Sequence, residues 1–519
     1  MKRFLASISF LLVFVLPAIT QGSSDKPKKG GNLTIAIRKD LTLMNPLVRT
    51  SSTDREIRQL MYEPLLGIDL KGDLKPRLAE KWEISKDGKL VTFNLRKGVK
   101  FHNGQEMTAE DAKFAMDYTM NAKNGAYGYS ALEIVDRVEV PDKYTLAIHL
   151  KNTGPGFPYV LSTIRSFSVI PKGSVEEGRT KPKQYPPGTG PFRFSDWSPR
   201  QQLVLERNDN YWGQKPLVDR LVLKPIPDAT IRMTALRAGD VDLIEAAPWE
   251  WVRQVMDGKL KGINYSEGQD SGFRVFKFNA GGPPFNNKKL RLAVAHALNK
   301  KEILQATYFG FGAPTDQRYP KGHTWNFEEV KTPSYDLERA KALLKEAGYK
   351  GEVIEFDVRQ GEQETEAATV QAQLKRIGMN VQLKIMDYGM YTARQRSGEF
   401  NLRPSGGDYE ADPFATYGDQ FICPVDQKKR TANDTGYCDK EMDRLIQTGL
   451  SEVDSEKRRE LVRRIVQKLY AEDVPEVPIG FVPRFFAFRD HVKGFRTDRQ
   501  GQFQWLGGGL SHAWLDKGD

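Results

Sequence analysis

Strand and helix patterns alternate along the chain, and this alternation constrains the fold more than any other feature. The stretch Asn32–Ile37 alternates and is rich in β-branched residues, which predicts a first strand. After Asp336, the apolar residues Ala340, Leu343 and Leu344 recur at helical spacing, which predicts an amphipathic helix. Because such signals recur in both halves, we expect an α/β protein with helices packed on sheets.

Capping residues mark several of the predicted helices. Thr108 followed by Asp111 resembles a capping box in which Asp replaces Glu. A helix is predicted over 365–377, because Gly378 is a typical helix terminator and a strand-like run follows it. A further helix is expected after Ser455, where apolar residues again repeat at 3.6 spacing.

A different pattern occupies residues 78–150. The dipeptide Asp87-Gly88 separates two alternating runs, which is a strong hairpin signal. A second hairpin is predicted around Pro141 and Asp142. The sequence therefore predicts a β-rich block inside a mixed chain, whose 519 residues suffice for more than one packed unit.

The first twenty residues have the parts of a secretory signal peptide. Lys2 and Arg3 precede the apolar run Phe4–Leu16, and small residues precede a cut after Thr20. The run is too short to remain as a membrane anchor, and no Cys follows it to carry a lipid. We expect residues 1–20 to be removed, 21–31 to form a polar linker, and the mature protein to be periplasmic without a membrane anchor; a short buried helix is the alternative.

The positive charge does not indicate nucleic-acid binding. The chain has 78 Lys+Arg against 67 Asp+Glu, a net charge of +11, which falls to +9 when Lys2 and Arg3 leave with the signal peptide. Basic residues cluster only briefly, at Lys428–Arg430 and Lys457–Arg459, and acidic or turn-forming residues flank both clusters. A solvated surface explains this dispersal better than a nucleic-acid interface.

The only two cysteines, Cys423 and Cys438, lie close together in the sequence. In an oxidising compartment such a pair predicts a local disulfide. A metal site is the alternative, but no His or third Cys lies nearby in the sequence.

The sequence contains no recognisable catalytic motif. A nucleophile elbow, a His-Glu-x-x-His zinc motif and a P-loop are all absent, and the six His are scattered. His149 and His296 lie in a strand and a helix pattern, where structural roles are commoner. Gly188-Thr189-Gly190 is too short for a phosphate loop, and Pro191 removes a backbone donor. We therefore predict no catalytic residue, no cofactor and no metal site.

A series of sequence blocks resembles the bacterial family 5 solute-binding proteins, the dipeptide, oligopeptide and nickel receptors of ABC importers. The most characteristic block is Leu78–Tyr118, and the series covers essentially all of the mature chain. The other blocks occur in the family's order, and they are MNPL (44–47), YEPL (62–65), PPGTGPFRF (186–194), NDNYWGQKPLVDRLVLKPIPD (208–228), ALRAGDVDLI (235–244), FNAGGPPFNNKKLRLAVAHALN (278–299), YDLERAKALLKEAGY (335–349) and TGYCDKEMDRLI (435–446).

The resemblance implies a two-lobed periplasmic-binding-protein type II fold, α/β, with an extra β-rich subdomain in lobe one. Lobe one is expected to comprise residues 32–57, 187–278 and 480–519, the β-rich subdomain 58–186, and lobe two 279–479. The chain would cross between lobes near 278–282 and 478–482. Gly281-Gly282-Pro283-Pro284 suits a bend at the first crossing.

The resemblance also implies a function. The expected protein is a monomeric periplasmic receptor that captures a small peptide between closing lobes and delivers it to the permease subunits of an ABC transporter. A non-peptide ligand, such as an oligosaccharide, a nickel complex or another amphiphilic solute, is one alternative. A periplasmic hydrolase or a holdase on the same scaffold is another, from a different functional class.

Ligand-binding residues can be proposed from the same resemblance. Peptide-binding relatives pair an Asp of lobe two with the ligand's α-ammonium, and the matching block PSGGDYEADPF places Asp408 there. Relatives often carry Trp before this Asp, whereas this chain has Pro404 and Ser405, so an aromatic wall is missing. The remaining candidates are Arg403 and Arg165 for a carboxylate, Tyr409, Trp249 and Trp251 for aromatic contact, and Thr50, Ser51 and Ser52 for the lobe-one side of the cleft.

Overall fold

The structure is a computed structural model. It describes residues 26–48, 52–69, 71–126, 128–163, 167–175, 185–361, 363–407, 412–424, 426, 430, 433–498, 502–505 and 508–516. The predicted signal peptide and the first residues of the linker lie outside these ranges. Within them, no helix combines the length and the apolar character needed to cross a bilayer.

Strands occur from the beginning to the end of the described chain. They are β1 (Asn32–Ile37), β2 (Leu66–Ile68), β3 (Leu74–Pro76), β4 (Ala79–Ile84), β5 (Leu90–Leu95), β6 (Val135–Asp142), β7 (Thr145–Leu150), β8 (Phe192–Ser198), β9 (Gln202–Arg207), β10 (Arg220–Pro225), β11 (Leu243–Ile244), β12 (Ile263–Phe278), β13 (Ala313–Pro314), β14 (Ile354–Arg359), β15 (Val381–Met386), β16 (Leu402–Gly407), β17 (Glu476–Arg489), β18 (Val492–Lys493), β19 (Gln504–Trp505), β20 (Gly508–Gly509) and β21 (Trp514–Leu515).

Helices are interspersed among these strands. They are α1 (Ser52–Arg58), α2 (Ala109–Met120), α3 (Tyr129–Leu132), α4 (Phe157–Val160), α5 (Ala229–Ala238), α6 (Trp249–Met256), α7 (Lys288–Ala297), α8 (Lys300–Tyr308), α9 (Leu337–Glu346), α10 (Glu364–Arg376), α11 (Tyr388–Ser397), α12 (Pro413–Phe421), α13 (Lys440–Ser451) and α14 (Ser455–Gln467). A π-helical turn, Lys468–Glu472, extends α14.

One large sheet runs through the molecule. Its eleven strands follow the order β15-β14-β16-β12-β17-β11-β1-β10-β9-β8, with β13 also paired to β17. The first strand, β1, is parallel to both β10 and β11, and β14 is parallel to β15 and β16. Parallel strands joined through helices confirm the predicted α/β class.

The helix caps agree closely with the sequence. The Thr108 N–H donates to Asp111 at 2.8 Å and so forms the predicted box at the start of α2. Asp336 accepts from the Arg339 N–H at 2.9 Å and caps α9. The last predicted helix differs slightly: Asp454, not Ser455, is its N-cap, because the Asp carboxylate reaches the Lys457 N–H at 3.0 Å.

The β-rich block contains a four-stranded antiparallel sheet in the order β4-β5-β7-β6. The first hairpin turns at Gly88, whose φ of 67° favours glycine. The second prediction needs correction, because Pro141 and Asp142 belong to β6 and the turn is made by the next two residues. The irregular pairing near Asp142 accommodates a proline without a backbone donor.

The buried apolar side chains form separate cores on the two sides of β12 and β17. The first core joins β1, β9 and β10 to the four-stranded sheet of the β-rich block and includes Leu33, Phe93 and Leu205. The second core lies between β14, β16 and helices α7 to α10. A third core joins α12, α13 and α14 to the segment 319–330.

The predicted disulfide is confirmed: Cys423, after α12, is bonded to Cys438, before α13. It closes a sequence separation of 15 residues. A loop of that length contributes about 3 kcal/mol of stability in the chain-entropy account.

Candidate functional site

Strands β12 and β17 carry the chain between the first and second cores. They pair from Ile263↔Arg489 to Gly268↔Arg484, and again from Gly272↔Val482 to Lys277↔Glu476. Between these stretches, residues 269–271 of β12 face only Pro483, which has no N–H to donate to the ladder. The connection between the two cores is therefore irregular at this point.

Several strands of the second core end at this irregularity. Gly407, the last residue of β16, lies opposite Phe273, just after the interruption in β12. The parallel strands β14 and β15 end at the same edge of the sheet, since they share the direction of β16. Ligands of open α/β sheets bind outside the carboxyl ends of the strands, so this edge is the candidate site.

A cavity of about 490 Å³ opens beside the irregularity. Glu267 and Gln269 of β12 and Phe481 of β17 line it, together with the segments 312–317, 320–321, 326, 328 and 330. Gly312 has a φ of 99°, and a Cβ there would lie 2.7 Å from the Phe481 carbonyl oxygen, so glycine is needed for the close approach of this wall. The volume suits a small ligand.

The wall made by residues 312–330 is held rigidly. The Gln317 side chain donates to the Phe327 carbonyl at 2.6 Å and accepts from the Phe327 N–H at 2.9 Å. On the rim, Lys321 pairs with Glu328 at 3.1 Å. The two Gln317 hydrogen bonds hold this part of the wall in a fixed position, as ligand recognition requires, whereas the exposed Lys321–Glu328 pair adds little.

A buried group of charges lies behind the cavity, between the sheet and the third core. We call it the inner charge cluster; its members are Lys277, Arg318, Arg403, Asp434 and Glu476. Lys277 lies 3.0 Å from Asp434, and Arg318 lies 3.1 Å from Glu476. Burial lowers the pKa of Lys277 to about 7, against the opposing effect of Glu476.

A second group of charges, the outer charge cluster, lies on the side of the first core, with its two carboxylates buried and its two arginines half-buried. Its members are Arg38, Glu56, Glu245 and Arg484. Glu56, on α1, pairs with Arg484 of β17 at 2.5 Å, and Arg38 pairs with Glu245 at 2.5 Å. Burial raises the pKa of Glu56 to about 7, with Glu245 acting in the same direction and Arg484 and Arg38 opposing it. The charged residues of α1 and β17 thus meet next to the interrupted ladder.

Arg403, a predicted carboxylate ligand, belongs to the inner charge cluster. Its side chain is 3% exposed, pairs with Asp434 and donates to the Tyr391 hydroxyl at 3.2 Å. An arginine committed to an internal ion pair has few donors left for a ligand. Its ligand role stays a prediction, while its structural role is evident.

Trp251, a predicted aromatic contact, lies on α6. It packs against the apolar cluster of α5, α6 and β11, with the Arg237 guanidinium 5.3 Å from its ring centroid. Trp249 also packs in a core, edge-on to Tyr308 with a centroid distance of 4.8 Å. Neither residue lines the cavity.

The side chains of the other predicted ligand residues lie outside the described part of the structure. Ser52 begins α1. The rest lie outside the described residues, namely Asp408, Tyr409, Arg165, Thr50 and Ser51. By sequence, Asp408 directly follows Gly407, the last residue of β16.

Two residues beside this edge were missed by the sequence reasoning. Arg484 lies among Phe481, Phe485 and Phe486 on β17, and a cation with apolar neighbours in the middle of a strand is a usable signal. Gln317 carries no comparable signal, because its importance comes from its two backbone partners. Among the described residues, no three or more His, Cys, Asp or Glu side chains lie together in a way that could bind a metal ion.

Comparison with known proteins shows which family has this sequence and architecture. Residues 73–423 match the family model for bacterial extracellular solute-binding proteins, family 5 Middle. The chain is 29% identical to the dipeptide-binding protein of Escherichia coli, over 88% of this chain and 90% of that protein. It is 30% identical to heme-binding protein A of Haemophilus influenzae, over 82% of each.

A solved structure shows the same fold. The periplasmic binding protein DppA from Helicobacter pylori, in complex with the peptide STSA, superposes with a TM-score of 0.75 at 25% identity, covering 94% of this chain and 99% of that one. The fold is thus the two-lobed periplasmic-binding-protein type II fold, with a β-rich subdomain in lobe one. The chain belongs to the bacterial extracellular solute-binding proteins of family 5.

Proposed function

We propose that this protein is the receptor of an ABC importer and captures a small peptide between its lobes for delivery to the permease. The observation that carries the proposal is the convergence of the cavity, the interrupted β12–β17 ladder and the end of β16 at one edge. Peptide-binding relatives support the ligand class. The predicted signal peptide supports a periplasmic location.

Closure of the lobes would follow from binding. The expected division has residues 32–57, 187–278 and 480–519 as lobe one, 58–186 as its β-rich subdomain and 279–479 as lobe two. The irregular pairing supports a hinge at residues 269–271 and Pro483, slightly displaced from the crossings expected at 278–282 and 478–482, which would move residues 272–278 and 480–482 into lobe two. A ligand that contacts both lobes stabilises the closed form, because only that form offers all contacts at once.

Asp408 would recognise the peptide's α-ammonium. A charge-assisted hydrogen bond in a closed site is stronger than one in water, which makes this pairing a main source of affinity. Asp408 is the residue after β16 in the sequence, and the absence of a preceding Trp would leave the first ligand side chain less enclosed.

The Asp408→Ala variant should bind a short peptide at least tenfold more weakly, because the ammonium loses its anionic partner. Isothermal titration of mature, ligand-stripped protein with Ser-Thr-Ser-Ala measures this, and N-acetylated Ser-Thr-Ser-Ala serves as the ligand control. Glu338→Ala, an exposed change on α9, is the matched variant and should leave affinity unchanged. Unchanged affinity in Asp408→Ala at unchanged Tm would remove Asp408 from the site.

The same purified protein separates the alternatives. Saturation at one peptide per chain supports a receptor, whereas peptide cleavage during the titration would indicate a hydrolase. Binding to unfolded chains without saturable peptide binding would indicate a holdase. Haem or a nickel complex would be recognised by its absorption spectrum, and either would replace the peptide as ligand within the same family.

A further inference from the structure

Three glycines of the β-rich subdomain lie directly against side chains of lobe two. A Cβ added at any of three glycines would fall closer than 3.0 Å to a side-chain atom of lobe two. These contacts are Gly72 with His323 at 2.3 Å, Gly88 with Val453 at 2.9 Å and Gly156 with Asp412 at 1.8 Å. The two surfaces therefore approach more closely than ordinary residues would allow.

Gly156 is the most informative of these glycines. Its φ of −79° and ψ of −7° are ordinary right-handed values that any residue adopts. Glycine is therefore required for space and not for backbone conformation. The obstacle to a larger residue is the Asp412 carboxylate, with the Arg458 guanidinium 3.4 Å from the same point.

Asp412 is firmly held in lobe two. Its carboxylate accepts from the Arg458 guanidinium at 2.9 Å and from the Phe414 N–H at 3.1 Å, which caps α12. Arg458 in turn donates to the Gly449 carbonyl at 2.6 Å and lies over the Phe414 ring at 4.6 Å. Both charged side chains are nearly buried, so this surface cannot yield easily to a neighbour.

The contact lies near the candidate site in sequence, and a neighbouring contact joins the subdomain to the cavity wall. Asp412 directly follows the segment 408–411, which begins with the proposed ammonium ligand. The cavity wall is also engaged, because Thr324 hydrogen-bonds through its N–H and its hydroxyl to the Lys71 carbonyl, each at 3.3 Å. The Thr324 hydroxyl also lies 3.1 Å from the Asp73 carboxylate.

We propose that the Asp412–Arg458 pair seated against Gly156 is a closure latch, which holds the β-rich subdomain against lobe two when the lobes meet. The proposal rests on the proposed function. Asp412 and Gly156 are positioning residues: neither needs to touch the ligand. The subdomain thereby acts on affinity through the closed state alone.

Gly156→Ala tests the latch by adding one methyl group between the two surfaces. We expect at least tenfold weaker binding of Ser-Thr-Ser-Ala, mainly through faster dissociation, because the closed form is penalised and the open form is not. The Tm of the ligand-free variant should remain that of the parent. Gly418→Ala is the matched control, since a Cβ there meets nothing nearer than 3.5 Å.

A distance measurement makes the test independent of ligand identity. Spin labels on Lys81→Cys in the subdomain and Lys457→Cys in lobe two, both exposed, report lobe separation by double electron–electron resonance. The parent should show a short-distance population that Gly156→Ala depletes and Gly418→Ala preserves. Equal distributions in parent and Gly156→Ala, or a parent with no short-distance population with or without peptide, would overturn the latch.

A double-mutant cycle assigns the effect to the proposed partner. Asp412→Ala removes both carboxylate atoms that the new methyl group would meet, so Gly156→Ala should have no further effect on the distances in that background. The same loss of short distances in both backgrounds would contradict the assignment. Failure of peptide binding with intact Gly156-dependent distances would count against the ligand class alone.

Discussion

At the scale of single residues, burial decides what a charged side chain does. Arg403 looks like a ligand contact in the sequence, yet it is almost fully buried beside Asp434. Glu56 and Arg484 look unrelated, being far apart in sequence, yet they form an ion pair next to the proposed hinge. Residue type indicates possible chemistry, but only the fold brings the partners together.

The raised pKa of Glu56 gives the stability a pH dependence. The folded pKa is about 7 and the ordinary value 4.5, so the folded protein binds more protons than the unfolded chain in this interval. The contribution of Glu56 to the free energy of unfolding should therefore decrease as pH rises from about 4.5 to about 7, by up to about 3 kcal/mol. Glu56→Gln should flatten this decline, because an amide resembles the protonated acid.

Urea unfolding across this pH interval measures the effect. Glu338→Gln, on the exposed face of α9, is the control and should retain the parent's pH profile. Equal pH slopes in the parent and Glu56→Gln would show that Glu56 titrates normally in the folded protein.

At the scale of elements, two helical glycines should respond oppositely to the same substitution. Gly418→Ala on α12 should stabilise the protein by about 0.5–1 kcal/mol, because alanine has the higher helix propensity and space is available. Gly449→Ala on α13 should destabilise it by about 1–3 kcal/mol, since the Cβ would lie 1.8 Å from the Phe414 ring. Thermal unfolding compares them; a Gly449→Ala variant as stable as the parent would contradict the packing of α12 on α13.

Local signals predicted many elements but not the central pair of strands. Capped helices such as α2 and α9, and the hairpin at Gly88, follow from residues within one turn of each other. By contrast, β12 contains glycines and polar residues, and β17 contains Pro478 and Pro483, which argue against a central strand. Their length comes from pairing with each other across the molecule, which no local pattern encodes.

At the scale of the whole molecule, the site is an edge shared by distant parts of the chain. The resemblance in the sequence predicted the family and its two-lobed fold, because ordered blocks extend along the whole mature chain. The cavity walls were not predicted, since they combine β12, β17 and a segment near residue 320. The latch depends on glycines at which an added Cβ would fall within 3.0 Å of a segment more than 200 residues away. No sequence pattern indicates such packing.

The central claim is that this receptor carries a small peptide, and the most direct test is to identify what it carries. Mass spectrometry of the ligand released by denaturing the protein, purified without ligand stripping, should find short peptides with free N-termini at about one per chain. Recovery of haem, a nickel complex or a sugar at one per chain, with no peptide, would contradict the claim.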